Sequence, residues 1–210
     1  EKNEMIKMTE YAKRRKAVMD EVGPDSVVIL TASHAQYRNH YHEYPFRQNS
    51  DFYYLTGFQE PESVLVLLPK RKGGEFILFN RVRDRAEEIW NGYRAGQAGA
   101  CETYGADESF PIDEFVKRLP DLLEGRENIY YTLGLDPLYD QMMMTAVKGL
   151  VGKVRAGVKA PTAYIDVRPI IHEMRLIKSG AEIELMRKAA NITAEAHIRA
   201  MQACKPGMYE

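Results

Sequence analysis

The sequence predicts an α/β fold, a sheet with one hairpin and with crossover helices packed on it. Three observations carry that reading. Short apolar runs recur at residues 26–31, 64–68 and 75–79. A glycine turn, Gly73-Gly74, joins the second run to the third. Capped or amphipathic helical stretches begin near Ile112, Asp136 and Ser179.

The elements follow in order. Residues 9–22 read as a helix, with Tyr11, Ala12, Ala17, Val18 and Met19 among charged neighbours until Gly23-Pro24 stops it. Residues 26–31 are apolar almost throughout, as in a strand covered on both faces. Residues 33–50 are polar, aromatic and irregular, and read as a long loop. The runs at 64–68 and 75–79 then pair as a hairpin. From Ile112 the residues Phe115, Val116, Leu119, Leu122 and Leu123 keep helical spacing, and Pro120 kinks or shortens that helix. Residues 129–132 form a short strand. Asp136-Pro137 starts a helix through Leu138, Met142, Met143 and Val147 to Gly149 or Gly152, with Asp as cap and Pro in the first turn. The methionines at 142–144 read as core and flank packing. Ser179 and Glu182 form a capping box, and the helix they open runs to about Cys204. Ile183, Met186, Ala190, Ala194, His197 and Met201 line one stripe of it, which needs a partner surface.

Bulk properties narrow the function. The 210 residues make one full domain with a remainder, and a core of that size needs no metal or disulfide. The formal net charge of −1 gives no field to attract nucleic acid or an anionic membrane. Basic runs such as Arg14-Arg15-Lys16 read as solvated faces, and Arg81, Arg83 and Arg85 are answered by Glu87 and Glu88. Cys101 and Cys204 stand far apart in no metal-binding spacing and suit a reducing cytoplasm. No apolar run approaches the roughly 20 residues that span a bilayer, and the charged segment 1–9 lacks the apolar stretch of a signal peptide.

The residues offer little chemistry of their own. His40 and His42, with Glu43 beside them, are the only histidine cluster. Histidines two apart face opposite ways on a strand, and a metal wants three protein ligands or more, so the segment reads as a polar loop and no metal site is expected. His172 and Glu173 beside Arg175 read as an ion-paired structural group, and His197 as a packed, hydrogen-bonded core histidine. No Gly-x-Ser-x-Gly, dinucleotide fingerprint or phosphate loop occurs. The glycines at 92, 96 and 99 lack the strand-loop-helix setting of a phosphate cradle. Arg47, Asn49 and Asp51 read as loop-fixing, and Phe52-Tyr53-Tyr54 as core.

Four blocks, in order, carry a family resemblance: EYPFRQNSDFYYLTGFQEPE at 43–62, FNRVRD at 79–84 with EIWNG at 88–92, IDVRPIIHEMRLIK at 165–178, and the capped helix from Ser179. Together they resemble the N-terminal part of aminopeptidase P, in the creatinase/prolidase superfamily. The resemblance implies a mixed β-sheet flanked by helices, ribonuclease H-like, over residues 1–175. Residues 176–210 would be the linker and first helix of a following pita-bread catalytic domain. It also implies a parent hydrolase, a Xaa-Pro aminopeptidase removing the first residue of peptides whose second is proline. Two divalent metals, manganese by the family's habit, would activate a bridging water there. Their ligands would lie beyond residue 210, so this chain alone is expected to hold no metal and to be inactive. The expected partners are its own C-terminal catalytic domain, Xaa-Pro peptides and further copies in a homo-oligomer, in the cytoplasm, without nucleic acid or membrane. Trp90 matches a tryptophan that reaches a neighbouring subunit's substrate pocket, where an indole gives a flat apolar wall and one donor; the alternative is a buried anchor. Arg155 aligns with an arginine near the active site, whose fork would hold a carboxylate. Two further readings stand beside this one. One is a non-enzymatic interaction module of the same fold; the other is a prolidase acting on Xaa-Pro dipeptides.

Overall fold

A computed structural model describes residues 6–209; residues 1–5 of the charged N-terminal segment and Glu210 lie outside the described residues. Along the chain come α1 (Met8–Val22), β1 (Ser26–Thr31), β2 (Tyr37–Asn39), β3 (His42–Glu43), α2 (Ser50–Thr56), β4 (Val64–Leu67) and β5 (Phe76–Asn80). Then follow α3 (Arg85–Asn91), α4 (Gly96–Glu102), β6 (Glu108–Pro111), α5 (Phe115–Leu123), β7 (Asn128–Tyr130), α6 (Pro137–Val151), β8 (Ala163–Ile165), α7 (Arg168–Leu176) and α8 (Gly180–Ala203). Six strands form one sheet in the order β6-β5-β4-β1-β7-β8. β4 pairs antiparallel with both β1 and β5, while β5–β6, β1–β7 and β7–β8 are parallel. The sheet is therefore mixed, and five strands present their carboxyl ends at one edge.

The apolar runs are continuous because the sheet is covered on both faces. Within β1, Val28 and Leu30 point into a core shared with α1, α2 and α7. Val27 and Ile29 point into a second core under α5 and α6. β4 splits likewise, with Leu65 and Leu67 on the first side and Val64 and Val66 on the second. Each such side chain contributes about 1.5–3 kcal/mol by leaving water, so a one-residue slip of β1 would exchange two filled layers at once.

The hairpin of β4 and β5 stands where the sequence puts it, with Val64 opposite Phe79. α6 starts at Asp136, whose carboxylate accepts from Leu138 N, and its cap at the far end is Gly152. Its methionines divide: Met143 is buried, Met142 packs at the core margin, and Met144 is exposed. Pro120 sits inside α5 without ending it. A 3₁₀ turn over Ile112–Glu114 precedes that helix.

Three expectations need correction. Residues 33–50 are not a plain loop, because β2 and β3 make a small exposed hairpin in it and α2 begins at Ser50. Arg14 and Arg15 are not a solvated face, each being only 5% exposed. Arg14 Nη1 donates to Tyr54 O at 3.1 Å and Arg15 Nη1 to Leu55 O at 2.9 Å. These carbonyls belong to the last turn of α2, which has no helical donors for them and carries the negative end of its dipole. The guanidinium of Arg15 also stacks 4.1 Å over the Phe76 ring, and burial lowers its pKa to about 10. Only Lys16 faces water, paired with Asp20. Third, His197 is exposed rather than packed, because the stripe of α8 that carries it has no neighbour among the described residues.

Gly57 ends α2 with φ 67°, and a Cβ there would lie 2.9 Å from the Tyr11 ring. Position and contact both require glycine.

Candidate functional site

The chain leaves β1 toward β4 on one side, while β7 joins β1 on the other after the crossover through α5. Sheets of this kind open a crevice at the carboxyl ends where the strand order reverses. Here it has a volume of about 360 Å³ and is lined by Thr31, Asp51, Thr132, Arg168, His172 and Arg175 among others. Its floor is apolar strand and its rim is polar, drawn from α2, α7 and the loop after β7.

Local chemistry fixes each rim group. Asn49 caps α2, its Oδ1 accepting from Asp51 N at 2.9 Å and Phe52 N at 3.1 Å. That cap aims Asp51 across the crevice at α7, where it accepts from Arg175 Nη1 and meets His172 Nε2 at 3.0 Å. Asp166 accepts from Arg168 Nε at 2.8 Å and from Thr132 Oγ1 at 3.3 Å. The Arg168 hydrogen bond holds the Asp166 carboxyl below its usual range. Beside the crevice, burial pushes the Asp136 carboxyl up, but hydrogen bonds from His34 and from Leu138 N outweigh it and leave it low. His34 stacks on Tyr139.

One carboxylate, Asp51, lines the crevice, a second, Asp166, stands behind its lining residues Thr132 and Arg168, and each is answered by a basic side chain. Both are engaged in ion pairs, and among the described residues neither is hydrogen-bonded to a serine or cysteine side chain as a nucleophile's partner would be. The set ties α2, the loop after β7 and α7 together. The sequence finds part of this, since His172 and Arg175 read as ion-paired, but their shared partner Asp51 stands more than 120 residues away.

Trp90 lies on α3, which buries none of its residues. The indole is 86% exposed, beside exposed Ile89 and Tyr93, so it anchors no core in this chain. Asp84 caps α3 through Ala86 N, and Arg83 pairs with Glu88. The excursion 81–95 is pinned at both ends: buried Asn80 donates to Gly96 O at 3.0 Å, and Glu60 accepts from Ala95 N at 2.6 Å. Arg81 pairs with that same Glu60 rather than with Glu87 or Glu88. The ends are fixed while the apolar tip stands in solvent.

Arg155 lies in a 3₁₀ turn, Val154–Ala156, and is exposed. α6 starts at the carboxyl edge and runs back across the sheet, so Arg155 falls near the opposite edge, where Lys159 O accepts from Gly125 N ahead of β7. The fold therefore does not bring Trp90 and Arg155 together within one copy. His40 and His42 flank the tip of the β2–β3 hairpin, with His42 Nδ1 3.3 Å from Asn39 Oδ1. Among the described residues no three of His, Cys, Asp and Glu gather as metal ligands do. No helix among them is long and apolar enough to cross a membrane.

Comparison with known proteins adds a family to this geometry. Residues 11–130 match the family described as aminopeptidase P, N-terminal domain. The chain is 43% identical over 206 residues to the Xaa-Pro aminopeptidase of Escherichia coli, covering 98% of this chain and 47% of that one. The Pseudomonas aeruginosa aminopeptidase PepP superposes with a TM-score of 0.93 at 46% identity, over 97% of this chain and 46% of that one. A zinc-substituted E. coli aminopeptidase P in complex with product gives a TM-score of 0.91 at 43% identity, over 98% and 47% of the two chains. The chain spans about half the length of the curated relatives it matches.

Proposed function

We propose, from the premise that this chain belongs to the aminopeptidase P N-terminal domain family, that it is the N-terminal accessory part of a Xaa-Pro aminopeptidase. In this reading residues 1–175 are the accessory domain and 176–210 the linker and first catalytic-domain helix. The parent releases the first residue from peptides with proline second. The observation that carries the reading is the match to the E. coli Xaa-Pro aminopeptidase over 98% of the chain, through α7 and α8 as well as the family-matched region.

The described residues do not fit a metal, since no ligand set gathers among them. Two divalent ions, manganese by family habit, would be held by the rest of the parent protein. What this chain brings is shape. Trp90 offers a flat wall with one N–H donor, and Arg155 an always-charged fork suited to a carboxylate. Because the two leave opposite edges of the sheet, a pocket that uses both draws them from two copies. That supports a homo-oligomer, and the exposed apolar tip of Ile89, Trp90 and Tyr93 is the surface it would cover. The cytoplasm is the proposed location, consistent with two free thiols.

The test is made on the full-length protein with manganese, on a Xaa-Pro dipeptide and on a longer Xaa-Pro peptide. Release of the first residue from both supports an aminopeptidase. Cleavage of the dipeptide alone would point to a prolidase, and no cleavage of either to an interaction module.

A further inference from the structure

We propose that Arg14 is the positioning residue that sets the direction in which α8 leaves the α/β unit, by holding the capping-box carboxylate of Glu182 in its guanidinium fork. α7 is anchored by apolar contact, since Val167 and Ile171 are fully buried. α8 buries none of its residues. Residues 177–179 separate the two helices, and Ile177 there is extended and exposed. Nothing apolar therefore fixes the angle between them. Among the described residues one ion pair crosses from α8 to the rest of the unit, Arg14 Nη2 to Glu182 Oε1 at 3.4 Å.

Arg14 is built for that task. Its guanidinium is nearly inaccessible and lies 4.0 Å over the Tyr54 ring. Nη1 is spent on Tyr54 O, while the Tyr54 hydroxyl donates to Met174 O at 3.2 Å on α7. The remaining donors, Nε and Nη2, are buried and make no hydrogen bond among the described residues. They form the edge that receives both oxygens of a carboxylate, and leaving such donors buried and unmade is costly. The cleft of about 430 Å³ beside them is lined by Tyr54, Arg175 and Glu182 among others.

Glu182 is the carboxylate already at that edge. Its Oε2 accepts from Ser179 N at 2.8 Å, so one side chain both caps α8 and meets Arg14. Glu10 also approaches Nη2, at 3.6 Å, but it belongs to α1 and cannot steer α8. In this proposal a slight turn of α8 closes the 3.4 Å approach of Glu182 to Nη2 into a hydrogen bond. The cap of α8 and its direction are thus one contact. That the contact orients a catalytic domain rests on the proposed function; the contact itself does not.

Pulsed electron paramagnetic resonance on the 210-residue chain tests this without an activity readout. Nitroxides are placed on native Cys204, at the end of α8, and on Lys148→Cys, on the exposed face of α6, in a Cys101→Ala background. The parent should give one narrow distance. Glu182→Gln keeps the capping box, because glutamine also reaches back, but removes the charge; it should broaden the distribution about twofold as the helix samples more directions. Arg14→Lys loses the fork and should do the same. Glu184→Gln, exposed on the same helix, should leave it unchanged. An unchanged width in Glu182→Gln, or equal broadening in Glu184→Gln, overturns the proposal. If Arg14→Lys fails to fold by circular dichroism, the two glutamate variants decide alone. Loss of the peptidase reading would leave this result standing.

Discussion

Arg14, Arg15 and Lys16 are adjacent and equally charged, yet the fold uses them in opposite ways. Arg15 buries its fork against Leu55 O and the Phe76 ring. Arg15→Ala removes a hydrogen bond from a charged donor and strands a buried carbonyl, so a loss of about 2–4 kcal/mol is expected in urea unfolding. Lys16→Ala removes one exposed pair with Asp20 and should change stability by about 0.5 kcal/mol or less. Equal losses would mean the arginine is as solvated as its sequence suggests. The sequence misleads here because composition reports charge but not where a long side chain ends; the unpaired carbonyls of α2 decide that. Trp90 is the converse case. It reads as a core anchor or as a projecting wall, and its 86% exposure in this chain leaves the fold without need of it. Trp90→Ala in the full-length protein should lower turnover of Xaa-Pro peptides while the melting temperature stays unchanged. Unaltered kinetics would return Trp90 to an ordinary surface role.

At the scale of elements, legibility follows locality. α6 and α8 are readable because their caps are local: Asp136-Pro137 opens one, and Ser179 with Glu182 the other. β1, β4 and β5 are readable because burial on both faces leaves unbroken apolar runs. α2 is missed because seven residues hold too little periodicity to outweigh an aromatic, polar setting. β6 and β8 are missed because they are edge strands, only half buried or exposed. The loop leading into α7 also carries a pH dependence. The carboxyl of Asp166 is held below the usual carboxylate range, chiefly by its hydrogen bond from Arg168. A depressed carboxyl contributes stability above its unfolded value, and that contribution is lost as pH falls through the lowered folded value. The protection factor of the Arg168 amide, whose N–H donates to Asp166 at 2.9 Å, should therefore fall below about pH 4 once the intrinsic exchange rate is divided out. Asp166→Asn should remove most of that pH dependence; a fall in protection of the same size in the variant would place the titration elsewhere.

For the whole molecule, the sheet's polarity is what makes the functional reading specific. Five carboxyl ends share one edge, and from that edge the excursion bearing Trp90 projects. α6 carries the chain back to the other edge, where Arg155 stands. Neither residue's position relative to the sheet can be read from a motif, because it depends on how many crossovers separate them. If one pocket needs both, full-length Trp90→Ala and Arg155→Ala variants should each be weak, and a mixture reassembled from the two should regain activity. In mixed assemblies some pockets pair an intact tryptophan with an intact arginine. No recovery on mixing would contradict pockets shared between copies.

In the proposed function this unit shapes a peptidase without performing the chemistry. Hydrolysis of a Xaa-Pro peptide with manganese present, by the 210-residue chain and by the full-length protein in parallel, decides this. The expected result is no release of the first residue by the 210-residue chain and proline-dependent release by the full-length protein. Release by the 210-residue chain at a comparable rate would place the chemistry in this unit instead.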